Sequence, residues 1–357
     1  MDAVVTETRP RPTRARPAAA ETKTVNLALQ GGGAHGAFTW GVLDRLLEDE
    51  RVAFEGISAT SAGAMNAAVC AFGLAAGGRE RARRALETFW MGVSDAACWS
   101  PVQPSWLDRL QENWSLPWSP AFMGFDLVTR LLSPYEFNPL NLNPLRQVLE
   151  SVVDFELLRR QEAPVRLFLS ATNVRTGRVK VFAREELSAD AVLASACLPF
   201  LFHAVEIGGE AYWDGGYMGN PAIFPLIYGC EARDVVVVHI NPMERPDVPR
   251  TARDILNRVN EISFNSSLMR EMRAIHFVTS LIDGGLGGAE GMKRMLIHSI
   301  SADDVMAPLT ATSKLNADRI FLRYLHDAGR RRAQEWLAER FADLGERSSV
   351  DIGARYL

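Results

Sequence analysis

One turn near the start of the chain limits what the rest can become. In "NLALQGGGAHGAF", residues 26 to 38, Gly31, Gly33 and Gly36 spell G-x-G-x-x-G between a short apolar strand and a helical pattern. The backbone must leave a buried strand, turn with no side chains in the way, and enter a helix. Such a turn presents backbone N–H groups and the positive end of a helix to something negative. Two occupants compete for it: the pyrophosphate of a dinucleotide, and the oxyanion that forms when a nucleophile attacks a carbonyl.

The second strand-to-helix junction discriminates between them. A dinucleotide site needs an acidic residue about twenty positions on, at the end of the second strand, to take the ribose hydroxyl. Here that strand ends in "ATSAGA", and the nearby acids Glu50 and Glu55 precede its end. In place of an acid stands Ser61, flanked by Ala59, Thr60, Ala62 and Gly63. A serine among small residues at such a junction has the setting of a nucleophile elbow, where a sharp turn projects the hydroxyl into a cleft. The usual leading glycine of G-x-S-x-G is replaced by Ala59, which is tolerable if position 59 keeps ordinary strand dihedrals. With Ser61 as nucleophile, Gly31, Gly32, Gly33, Ala34, His35 and Gly36 become an oxyanion loop whose amides face the developing charge. Asp214, in "YWDGG" at the end of a predicted hairpin strand, is the candidate base, with Gly215 and Gly216 allowing close approach of its carboxylate.

The wider pattern is strand-loop-helix twice over, "TVNLALQ" into "AFTWGVLDRLLEDE" and "FEGISAT" into "SAGAMNAAVCAFGLAAGG", which argues for a parallel sheet with helices packed on it. Hairpins follow at "VRLFLSATNV"/"RVKVFA" and at "AVEIGGEAYWDGG", around a small helix "ADAVLASAC". "DVVVVHI" is a buried strand, residues 251 to 341 are mainly helical around an apolar run "MLIHSI", and a closing helix is expected from about Ser313 to Phe341. No linker interrupts residues 24 to 357, so one domain is expected, preceded by a disordered tail over residues 1 to 23. Seven prolines and four tryptophans between residues 94 and 144 break regular structure and read as a loop-rich aromatic cap, with a satellite core as the alternative.

Charge and cysteine usage exclude several classes. With 39 basic and 43 acidic residues the formal net charge is -4, which gives no field for a nucleic-acid partner. Cys70, Cys98, Cys197 and Cys230 are widely spaced without a C-x-x-C pair, so reduced thiols and a cytoplasmic setting are expected, with neither a zinc site nor a disulfide framework. No apolar segment reads as a signal peptide or a membrane span. The histidines His203, His239, His276, His298 and His326 are scattered, and none sits in a pattern that marks a base or a metal ligand.

Taken in order, "GGGAHG", "ATSAG", "ASACLPFLF" and "DGG" resemble the patatin-like phospholipase family, in its bacterial form, over roughly residues 24 to 240, and "NRVNEISFNSSLMREMRAI" is similar to that family as well. The resemblance implies a three-layer α/β/α sandwich with a central, mostly parallel sheet, and a lipid acyl hydrolase that works through a Ser-Asp dyad. It assigns Ser61 as nucleophile, Asp214 as base and residues 31 to 36 as the oxyanion loop. His35 stands where many members carry arginine or lysine. The expected activity is ester hydrolysis on phospholipids or other lipids through an acyl-enzyme, with no metal or organic cofactor. Peripheral contact with a membrane surface is expected, a nucleic-acid partner is not, and protein partners are undetermined. An esterase acting on small soluble esters, or a weakly active scaffold of the same fold, are the competing expectations.

Overall fold

The structure is a computed structural model that describes residues 22–97, 114, 120–245, 247–286 and 292–357. Residues 1–21 of the expected tail, and residues 98–113 and 115–119 of the expected cap with Trp99, Trp106 and Trp118, lie outside the described residues, while Lys23 already belongs to the first strand.

Eight strands form one sheet in the order β5-β6-β3-β2-β1-β7-β8, with β4 paired to β3. Strands β1 (Lys23–Leu29), β2 (Val52–Ala59), β7 (Asp234–Val238) and β8 (Leu296–Ile300) run parallel, and β3 (Arg166–Asn173) joins them parallel to β2. The strands β4 (Val179–Ala183), β5 (Val205–Ile207) and β6 (Glu210–Asp214) are antiparallel additions. Alternate side chains go to opposite faces, and both faces are covered. Leu27 and Leu29 of β1, with Val236 and Val238 of β7, join a large core beneath α1 (Gly36–Glu48), α2 (Ala62–Gly77), α3 (Arg79–Ala97) and α8 (Arg319–Arg340). Ala28, Val235 and Val237 point the other way, onto Leu268, Met272 and Ile275 of α7 (Ala252–Leu281). The molecule is therefore the expected three-layer α/β/α sandwich.

The remaining helices used below are α4 (Pro120–Leu131), α5 (Pro144–Val152) and α6 (Ala189–Ser195). Helices α1 and α8 cross with their backbones nearly touching: a Cβ on Gly41 would lie 1.9 Å from the His326 carbonyl oxygen, and one on Gly329 would lie 2.1 Å from that of Phe38. The C-terminal region is thus fitted directly to the helix that follows the glycine loop.

Two sequence expectations are corrected. The aromatic segment does not begin at residue 94, because α3 continues to Ala97. The closing helix does not begin at Ser313: a 3-10 turn, Ala311–Leu315, is separated from α8 by Asn316, Ala317 and Asp318. Asp318 accepts from the amides of Ile320 at 3.0 Å and Phe321 at 3.4 Å, so it caps a new helix instead of continuing an old one. At Trp114 the structure agrees with the alternative of aromatics packed into a core: it is buried and stacks on Phe321 of α8 at 5.2 Å between ring centres.

Candidate active site

The register of β3 brings the two candidate catalytic residues together. On one side of β3, Ala59 of β2 pairs with Leu169, and beyond that point the same side is taken by β6, with Asp214 opposite Ala171. Strand β4 occupies the other side throughout, pairing Leu169 with Phe182 and Ala171 with Lys180. Strand β2 runs parallel to β3 and β6 antiparallel, so their C-terminal ends meet head to head. Ser61 follows one end and Asp214 is the other.

The elbow itself is sharply bent. Ser61 has φ 55° and ψ -124°, outside the regions comfortable for a side-chain-bearing residue, and such a conformation costs about 1–3 kcal/mol. Neighbours hold it there. Its amide donates to Ser195 Oγ at 2.9 Å, Ser195 Oγ donates to the Ser170 carbonyl of β3 at 2.6 Å, and Thr60 Oγ1 donates to the Gly219 carbonyl at 2.6 Å. Gly63 has to be glycine, because a Cβ there would lie 2.4 Å from the Leu29 carbonyl oxygen. Ala59 needs no glycine: it ends β2 in regular pairing, with no positive φ.

Asp214 is buried and accepts from the Gly216 amide through Oδ1 at 2.7 Å, while Oδ2 has no hydrogen-bond partner. Burial pushes its carboxyl up to about 6, against stabilisation of the charged form by the Gly216 amide, the Ser61 hydroxyl and Lys314. Ser61 is therefore close enough to act on the carboxyl, although no fully formed hydrogen bond reaches Oδ2. A carboxyl with one oxygen unspent and a serine hydroxyl acting on it has the composition a proton acceptor requires. Gly215 permits the turn after it, since a Cβ there would lie 2.0 Å from the Ser170 carbonyl oxygen.

The glycine loop closes the third side. Gly31 packs on the elbow, its absent Cβ leaving room for Ser61, and its amide is spent on Asn220 Oδ1 at 2.7 Å. The amides of His35 and Gly36 are spent within the loop, on the carbonyls of Gly32, and of Gly33 and Ala34. The expected six-residue oxyanion loop thus narrows. The amides of Gly32, Gly33 and Ala34, and of Ala62, the first residue of α2, have no acceptor among the described residues, and all four residues line the cavity. His35 turns away: it is buried, its Nε2 lies 2.8 Å from Ser313 Oγ, and burial beside Lys314 and Arg245 holds its pKa well below the ordinary value. A cavity of about 240 Å³ opens on Ser61 and Asp214, with Met65, Phe89, Trp90, Leu201 and Phe202 among its walls.

No histidine lines that cavity, and all six lie within the described residues. His239 is buried against the Tyr356 hydroxyl at 2.8 Å, and burial lowers it to about 3. His298 lies between Asp234 Oδ1 at 2.9 Å and Ser349 Oγ at 3.0 Å, an arrangement with the composition of a triad. Its imidazole is fully buried, and Asp234 begins β7 at the opposite end of the sheet from Ser61, so this group anchors the C-terminal loop. Sequence reading missed Asn220, Asn241 and Lys314, which surround the glycine loop. None belongs to a recognisable pattern, and Lys314 lies nearly a hundred residues beyond the last motif.

A family model described as patatin-like phospholipase matches residues 27–227, more than half of the chain. Among solved structures, VipD from Legionella pneumophila is similar, with 15% identity and a TM-score of 0.38 over 88% of this chain; the match spans 66% of VipD, just under two thirds of its length. No curated protein matches.

Proposed function

The chain belongs to the patatin-like phospholipase family, and on that premise we propose that it is a serine acyl hydrolase acting on phospholipid or related lipid esters through a Ser61–Asp214 dyad. Asp214 takes the hydroxyl proton as Ser61 Oγ bonds to the ester carbonyl carbon. The carbonyl oxygen becomes an anion taken up by the unspent amides of residues 32 to 34 and of Ala62. Collapse of the intermediate breaks the bond to the alcohol, which leaves with the proton from Asp214, and an acyl group remains on Ser61. Water then attacks, gives its proton to Asp214, and Ser61 leaves with that proton as the fatty acid is released.

One observation carries most of this reading: a strained serine and a buried aspartate converge on an apolar cavity that no histidine reaches. The walls favour an acyl chain over a small polar ester. Exposed Met123, Leu127, Val128 and Leu131 fall at helical spacing on α4 and form an apolar stripe suited to lying on a lipid surface. Beyond it, exposed Tyr135 stacks on His203, close in sequence to the cavity wall at Leu201 and Phe202. No described helix is long and apolar enough to cross a membrane. Buried free thiols at Cys70, Cys197 and Cys230 fit the reducing compartment proposed for it. We also take residues 24 to 357 as one catalytic unit, because β8 and α8 complete the sheet and core around the site.

The test is hydrolysis of mixed phospholipid vesicles, with released fatty acids and lysolipids identified by mass spectrometry. Wild type should release both and Ser61→Ala neither. Hydrolysis of a short soluble ester with intact vesicles would move the reading to a small-ester esterase, and no turnover of either would overturn it.

A further inference from the structure

The cavity contains a positive charge that the dyad chemistry leaves unused. Lys314 belongs to the 3-10 turn Ala311–Leu315 and lines the same cavity as Ser61 and Asp214. Its Nζ donates to Asn241 Oδ1 at 2.7 Å, and Asn241 in turn donates through Nδ2 to the Gly31 carbonyl at 2.7 Å. The Asn241 amide and that of Ile240 both donate to Gln30 Oε1, so the residues that follow β7 are tied to the end of β1. The lysine backbone is also fitted to the loop: Gly33 has φ 60°, and a Cβ on it would lie 2.3 Å from the Lys314 carbonyl oxygen. A lysine so placed, hydrogen-bonded to a neutral amide, has donors to spare, and burial lowers its pKa from the ordinary lysine value. Retaining such a charge is costly unless anionic groups face it.

Resting on the acyl-hydrolase reading above, we propose that Lys314 is a positioning residue of this site: it holds the glycine loop in place through Asn241 and presents a positive charge to Asp214 and to the oxyanion that forms beside Gly32. The glycine loop itself brings no cation, because His35 is turned onto Ser313. The charges around Lys314 fit this role. Burial is the largest influence and works against its ammonium, as does Arg245, and Glu261 on α7 and Asp214 across the cavity favour it. Around Asp214, Lys314 and the Ser61 hydroxyl stabilise the carboxylate, and the thiol of Cys197 and the phenol of Tyr217 are its other titratable neighbours. Those two groups are held up in their neutral forms, at about 12 each, which leaves Lys314 as the charged group acting on Asp214, after burial, the Gly216 amide and the Ser61 hydroxyl.

Three variants separate charge from structure. Lys314→Met removes the charge and the hydrogen bond, Lys314→Gln retains a donor for Asn241 without the charge, and Lys314→Arg retains the charge. Each is assayed for kcat/KM on a soluble p-nitrophenyl ester from pH 5 to 9, and for the rate at which a fluorophosphonate labels Ser61 over the same range. Loss of the charge should lower kcat/KM by about tenfold or more, up to the roughly 10²–10³-fold cost of removing a donor that touches the oxyanion. It should also move the acid limb of both profiles to higher pH in Met and Gln alike, with Arg restoring the limb towards its wild-type position. An unshifted limb in Met and Gln, or equal losses in all three variants, would overturn the proposal while leaving the dyad standing. A wild type that neither turns over ester nor labels would overturn the dyad reading itself.

Discussion

Replacing Asp214 by Asn should abolish activity and stabilise the protein, and the second effect has a calculable pH dependence. Burial raises the carboxyl from 3.8 to about 6, so the folded state resists ionisation that the unfolded chain accepts readily. The raised value fixes the sign. Relative to an ordinary aspartate, the contribution to stability is fully present below pH 3.8 and is lost as pH rises through about 6. A difference of roughly two units corresponds to about 3 kcal/mol of penalty for carrying the carboxylate at pH 8. Asparagine retains the acceptor for the Gly216 amide and places an uncharged NH2 where the unpartnered Oδ2 stood. Urea denaturation of wild type and Asp214→Asn at pH 8 and at pH 4 measures the effect. The variant should be more stable by a few kcal/mol at pH 8, with the gain shrinking at pH 4, while turnover falls as far as in Ser61→Ala because the proposed dyad makes both residues one catalytic unit. A gain of the same size at both pH values, or none at pH 8, would refute burial of a charge as the origin of the raised pKa.

Two further outcomes follow from local geometry. Ser61→Ala and Ser61→Gly should both lose fluorophosphonate labelling, but the glycine variant should be the more stable by about 1 kcal/mol, since only glycine is at ease at φ 55°; equal melting temperatures would remove the strain from the elbow. Trp114→Ala should cost about 3 kcal/mol by emptying a buried stack on Phe321, and should lower hydrolysis of vesicles and of a soluble ester in equal measure. Losing vesicle hydrolysis alone would restore this tryptophan to the lipid interface.

The legibility of this site in the sequence depends on how local each part is. The elbow and glycine loop are strand-to-helix turns, whose steric needs fall on consecutive residues and leave small side chains in a readable order. Asp214 was legible through the turn that Gly215 and Gly216 allow. Ala59 looked like a departure because the leading glycine of an elbow answers a crowding that this strand end lacks: Ala59 simply completes the pairing with Leu29 and Leu169. The break at Asn316–Asp318 was hidden because the residues around it favour helix, and only a side-chain cap to Ile320 and Phe321 starts α8 afresh. Lys314 was illegible for the same reason. Its place in the cavity comes from a 3-10 turn docked on Gly33, a contact between residues almost three hundred positions apart.

The raised carboxyl also removes a familiar way of telling a dyad from a triad. An unperturbed aspartate base would put the acid limb of the pH profile near pH 4, well below the histidine range. Burial brings Asp214 to about 6, where a histidine base would also titrate. An acid limb near pH 6 is therefore what this site predicts without any histidine taking part. What distinguishes the two mechanisms here is the identity of the neighbours that move the limb. A histidine base would respond to a hydrogen-bonded carboxylate, and the histidines that have one, His298 beside Asp234 and His326 beside Asp327, lie outside the cavity. A buried aspartate responds to the ammonium that faces it and to the amide it accepts, which here are Lys314 and Gly216. The same enclosure that raises the Asp214 carboxyl, and with it the basicity the proposed dyad calls for, also destabilises the fold that holds it, so base strength and stability change in opposite directions at this one residue.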